Sequence, residues 1–139
     1  MFGMTKRQFL KKSKICLKET GTEILLVREL MDKESQKSIG VLEAHRKLDN
    51  IRREIEKTFS RYEKLNPPSR CVPLHQRILH NLIALHEAVV INSESLTAAK
   101  EGSKEKSREK LKESRDQLDK FRESFLPLTR EVDLNLGKK

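Results

Sequence analysis

Apolar side chains recur along this chain at steps of three, four and seven residues, a spacing that forms a continuous stripe only on an α-helix. Phe9, Ser13, Cys16, Thr20, Ile24, Val27 and Met31 mark a first stripe, widened by Leu10 and Leu17. Val41, Ala44, Leu48, Ile51, Ile55, Phe59 and Tyr62 mark a second, and Ile78, Leu79, Leu82, Leu85, Val89 and Leu96 a third. The fourth is thin: Leu111, Ser114, Leu118, Phe121 and Phe125. With 37% charged against 35% hydrophobic residues, the chain would approach the composition of a disordered one without this regular placement. Its 5 Gly, 4 Pro, 5 Phe and 1 Tyr, among abundant Leu, Lys, Glu and Arg, favour helix over strand. No sheet is expected.

The punctuation sets the boundaries. Thr5-Lys6-Arg7-Gln8 has the spacing of a capping box, and Met4 and Phe9 occupy the two positions of a hydrophobic staple. Asn66-Pro67-Pro68 stops the second helix, because each proline disfavours α geometry in the residue before it. Pro73 suits a helix start, Gly102 a left-handed stop, and Ser103 the cap of a fourth helix that Pro127 closes or kinks. The expected helices are 6–36, 40–65, 73–101 and 104–126 within a single helical domain 1–139, with 127–139 a C-terminal tail. Short connections make consecutive helices antiparallel, so the fold class is all-α, an antiparallel up-and-down four-helix bundle.

One alternative competes with it. Val27, Glu34, Val41, Leu48, Ile55 and Tyr62 keep a seven-residue register across the weak segment 33–40. Without a turn near 35–40, the first two helices would fuse into a rod of about 90 Å, a long helical hairpin or coiled coil.

Charge is uneven. The net charge is +9, and residues 1–18 carry Lys6, Arg7, Lys11, Lys12, Lys14 and Lys18 with no acid. These six form the candidate anion-binding set, suited to nucleic acid, anionic lipid or an acidic protein surface. Lysines interrupt any signal-peptide core, and no stretch approaches the length of a transmembrane segment, so a cytoplasmic location is expected.

The first helix is apolar on more than one side. Ile15, Leu25 and Leu26 project away from its main stripe at about 100° per residue, and they form the candidate interface with a partner protein or a second copy.

Chemistry-bearing residues are sparse. His75 and His86 meet the core face of the third helix, His80 points away and His45 flanks its stripe, without the His-Glu-x-x-His or Glu-x-x-His spacing of metal-binding helices. Cys16 falls at a core position. Cys71, beside Arg70 in a proline-rich turn before a helix N-terminus, is the candidate reactive thiol. With 5 glycines the chain has no phosphate-cradling loop or nucleophile elbow. No catalytic residue, metal ligand or cofactor is assigned, and the chain is not expected to be an enzyme.

The residues therefore favour a non-enzymatic helical interaction or scaffold module that self-associates, a dimer being the simplest form. An adaptor for an anionic surface ranks second, and a metal- or thiol-dependent protein third.

Overall fold

A computed structural model describes residues 3–137 of the chain. Four helices, α1 (Lys6–Ser35), α2 (Val41–Glu63), α3 (Val72–Lys100) and α4 (Lys104–Gly137), follow one another, with a single 3₁₀ turn at Ser69–Cys71. Each helix packs on its neighbours in sequence and α4 returns against α1, while α1 and α3 touch only lightly across the diagonal. This is the expected four-helix bundle. No helix among the described residues is long and apolar enough to cross a membrane.

The start of α1 follows from its sequence. Thr5 Oγ1 accepts from the Gln8 backbone N–H at 3.1 Å, and Gln8 Oε1 accepts from the Thr5 N–H at 2.9 Å, closing the capping box. Met4 and Phe9 then pack into the same apolar cluster.

The turn after α1 rules out the fused rod. The Ser38 N–H reaches back to the Lys33 carbonyl at 2.9 Å and the Lys37 N–H to the Glu34 carbonyl at 3.2 Å, the bond pair of a Schellman motif. Lys37 holds the left-handed position at φ 55°, which glycine adopts without strain and lysine does not. The same motif ends α3 on Gly102 at φ 85°.

One boundary is corrected. Pro127 neither closes α4 nor begins a tail: the helix runs on to Gly137, and Leu128 and Val132 beyond the proline are buried. These two continue the stripe of Phe121 and Phe125 onto α1 and α3, and their burial outweighs a penalty of about 3 kcal/mol for an interior proline. Lys138 and Lys139, the end of that expected tail, lie outside the described residues.

The core forms two clusters. Ile24, Val27, Met31, Leu48, Ile55, Leu85, Val89 and Phe121 fill one, and Phe9, Leu17, Tyr62, Ile78, Leu82, Leu128 and Val132 the other. The α3–α4 seam is laced by short polar side chains. Ser114 Oγ donates to the Ala88 carbonyl at 2.6 Å, Ser95 Oγ to the Ser107 carbonyl at 2.6 Å, and Asn81 Nδ2 to the Phe121 carbonyl at 3.1 Å. Small residues at these positions leave room for such bonds between closely packed helices.

Candidate interaction surface

The inward side of α1 completes the core, and its outward side faces solvent. Arg7, Lys11, Lys14, Lys18, Leu25, Glu29 and Asp32 are all exposed and recur at steps of three, four and seven, so they form one stripe. Ile15 and Leu26, eleven positions apart, share the flank nearer α2, where Ile15 borders a cleft with Glu19, Thr58 and Arg61. Lys14 marks the opposite flank, nearer α4, by pairing with Asp133 at 3.2 Å.

Ile15, Leu25 and Leu26 retain 52%, 65% and 45% of their surface in contact with water, so the packing of the bundle leaves all three uncovered. Apolar residues outside α1 are exposed as well. Ile83 and Val90 stand on the outer face of α3. Their seven-residue spacing was a signal that could have revealed them.

The six basic residues do not lie on one face of the helix. Arg7, Lys11, Lys14 and Lys18 share the outward stripe, whereas Lys12 borders the α1–α2 cleft. Lys6 lies in a cleft with Arg70, Arg77 and Glu131, where Arg77 is already bound to Glu131 at 3.1 Å.

Cys71 is not where a reactive thiol needs to be. The Ser69–Cys71 turn tucks it into the core at 5% exposure, since the turn closes the gap between the end of α2 and the start of α3. Cys16 is equally buried, and burial pushes its thiol up to about 12.

Two of the histidines, His75 and His86, make hydrogen bonds between α2 and α3. The His75 ring Nε2–H donates to the Tyr62 carbonyl at 2.8 Å, which also accepts from the Leu65 N–H at 3.1 Å, and the ring packs 4.9 Å from that of Tyr62. His86 Nε2 donates to Glu56 at 2.8 Å, and this bond is the main reason the Glu56 carboxyl sits below the usual range. Among the described residues no three His, Cys, Asp or Glu side chains converge as a metal site would require.

Two buried carboxyls went unforeseen. Thr58 Oγ1 donates to Glu23 at 2.7 Å, yet burial still raises the Glu23 carboxyl, and its other oxygen has no bonding partner among the described residues. Near the end of α1, both Glu34 oxygens are buried without a well-formed hydrogen bond, as are both amide atoms of Asn92 on α3. Burial pushes the Glu34 carboxyl up to about 7, with the Asn92 amide and Arg115 pulling the other way. Either glutamate could be found only after its helix face was known.

Fold and surface together define a small helical bundle in which α1 turns a mixed basic, apolar and acidic face outward. No protein family, curated protein or solved structure was found to match the chain.

Proposed function

We propose that the chain is a non-enzymatic interaction module that associates with itself through the outward face of α1. The observation that carries this reading is the exposure of Ile15, Leu25 and Leu26 on a helix whose other side already completes the core. Covering half-exposed side chains of this size contributes roughly 1 kcal/mol each. Six of them in a symmetric pair offset only the lower part of an association cost of about 4–15 kcal/mol, so polar complementarity has to supply the remainder. Sedimentation at micromolar concentration tests the reading. A concentration-dependent dimer that Leu26→Glu dissociates is expected, and a monomer at every concentration, indistinguishable from the variant, overturns it.

A second reading, an adaptor for an anionic surface, draws support from Arg7, Lys11, Lys14 and Lys18 sharing one exposed stripe. It requires binding to anionic vesicles or nucleic acid that weakens steeply with salt and disappears when Lys11, Lys14 and Lys18 are changed to Gln.

A further inference from the structure

We infer that two copies of this chain pair with their α1 helices antiparallel, about a two-fold axis beside Thr22. This register rests on the self-association proposed above and specifies its geometry. The outward stripe of α1 is divided by charge: Lys11, Lys14 and Lys18 occupy its first half, Glu29 and Asp32 its second. Lys11 and Asp32 are equidistant from a point between Gly21 and Thr22, each about 16 Å from it at 1.5 Å per residue. Lys14 and Glu29 are equidistant from the same point, as are Lys18 and Leu25. An antiparallel copy centred there sets its acidic pair against the basic pair of the first copy, and its basic pair against the acidic one. Every contact then occurs twice, as an isologous interface demands.

The apolar residues obey the same symmetry. A two-fold axis perpendicular to both helices brings each flank against the identical flank of the partner copy. Ile15 and Leu26 share the α2-side flank about 10 and 7 Å on either side of the midpoint, so Ile15 of one copy lies within about 3 Å along the axis of Leu26 of the other. Leu25 lies over the aliphatic stem of Lys18 in the second copy, whose ammonium remains in water. A parallel arrangement would instead face lysines with lysines and acids with acids.

Intramolecular ion pairs do not prevent this contact. Lys14 pairs with Asp133, Glu29 with Lys33 and Asp32 with Arg115, but at least 39% of each of these lysine, arginine, aspartate and glutamate side chains is exposed. An ammonium has three donors and a carboxylate about four acceptor sites, so each accommodates a partner from the second copy as well.

The test uses two charge-reversed forms of the full chain, Lys11→Glu/Lys14→Glu and Glu29→Lys/Asp32→Lys. The first carries acids at positions 11, 14, 29 and 32 and the second lysines at all four, with Arg7 and Lys18 unchanged in both. Each variant alone is expected to dimerise roughly tenfold or more weakly than the parent, because like charges meet in the pair. An equimolar mixture is expected to recover the dimer, since positions 11 and 14 of each copy then face opposite charges at positions 32 and 29 of the other. Circular dichroism confirms that each is folded. If the loss of the Asp32–Arg115 contact unfolds the second variant, Lys14→Glu and Glu29→Lys, which face each other in this register, replace the two forms. Variants that dimerise alone as well as the parent, or a mixture that stays monomeric, overturn the register while leaving self-association standing. A parent that is itself monomeric overturns both.

Discussion

The hydroxyls of Ser13 and Tyr62, 49 positions apart, lie 2.6 Å from each other in the core and tie the first half of α1 to the last turn of α2. Burial raises the Tyr62 phenol well above its ordinary value, while the bond to Ser13 works in the other direction. Removing one partner leaves the other hydroxyl buried without a bond, so Tyr62→Phe is expected to destabilise by about 1–3 kcal/mol. Ser13→Ala combined with Tyr62→Phe is expected to cost less than the sum of the two single changes, as denaturant unfolding of the cycle would show. With 1 Tyr and no Trp in the chain, alkaline difference absorbance reads Tyr62 alone. The phenol is expected to ionise only well above its ordinary range. Because its folded value is raised, the stability it contributes is complete below the ordinary phenol range and fades as pH climbs toward the folded value.

Glu34 sets a pH dependence nearer neutrality. Its carboxyl is raised from 4.5 to about 7, so the contribution to stability is full below about 4.5 and disappears as pH rises through about 7. In the protonated form it can donate to Asn92 Oδ1, and in the ionised form it places a charge in a buried site with Arg115 as its cationic neighbour. Glu34→Gln removes the titration. Thermal unfolding at pH 5 and pH 8 should show the variant gaining on the parent by an amount on the order of 2 kcal/mol between those values. A constant difference between the two would show that Glu34 does not titrate there.

How much of this arrangement the residues announced depends on what kind of signal each carried. Every member of the first stripe, from Phe9 through Ser13, Cys16 and Thr20 to Met31, is buried, because helical spacing alone decides which side faces in. The outward projection of Ile15, Leu25 and Leu26 came from the same arithmetic. Glu23, Glu34, Asn81 and Asn92 were illegible, since a polar residue declares no preference for the core until a neighbouring helix supplies a partner or covers it. Cys71 misled for a related reason. Prolines around it imply a turn, but which way the turn faces depends on how the end of α2 meets α3.

The two thiols should therefore behave alike. Cys16 and Cys71 are each 5% exposed, and a thiol reagent needs both access and thiolate. In native protein at neutral pH, neither is expected to react at the rate of a small free thiol, and both should react promptly in denaturant. Rapid modification of a single thiol, abolished by Cys71→Ser, would mean that the turn opens and exposes it.

Pro127 provides the sharpest check on α4. Lacking an N–H, it leaves the Glu123 carbonyl without its usual helical partner, and its ring crowds the preceding turn. Pro127 itself is exposed, whereas Leu128 is 3% and Val132 1% exposed. Beyond the proline, Asp133 reaches Lys14 on α1 and Glu131 reaches Arg77 on α3. Packing past the proline therefore holds the helix together against its local preference. Two substitutions should move stability in opposite directions. Pro127→Ala restores the bond and relieves the crowding, with an expected gain of about 1–3 kcal/mol. Leu128→Ala empties a core site, with an expected loss of about 2–5 kcal/mol. Denaturant unfolding distinguishes this from a loose C-terminal segment, in which both substitutions would leave the midpoint unchanged because neither residue would have a native contact to lose.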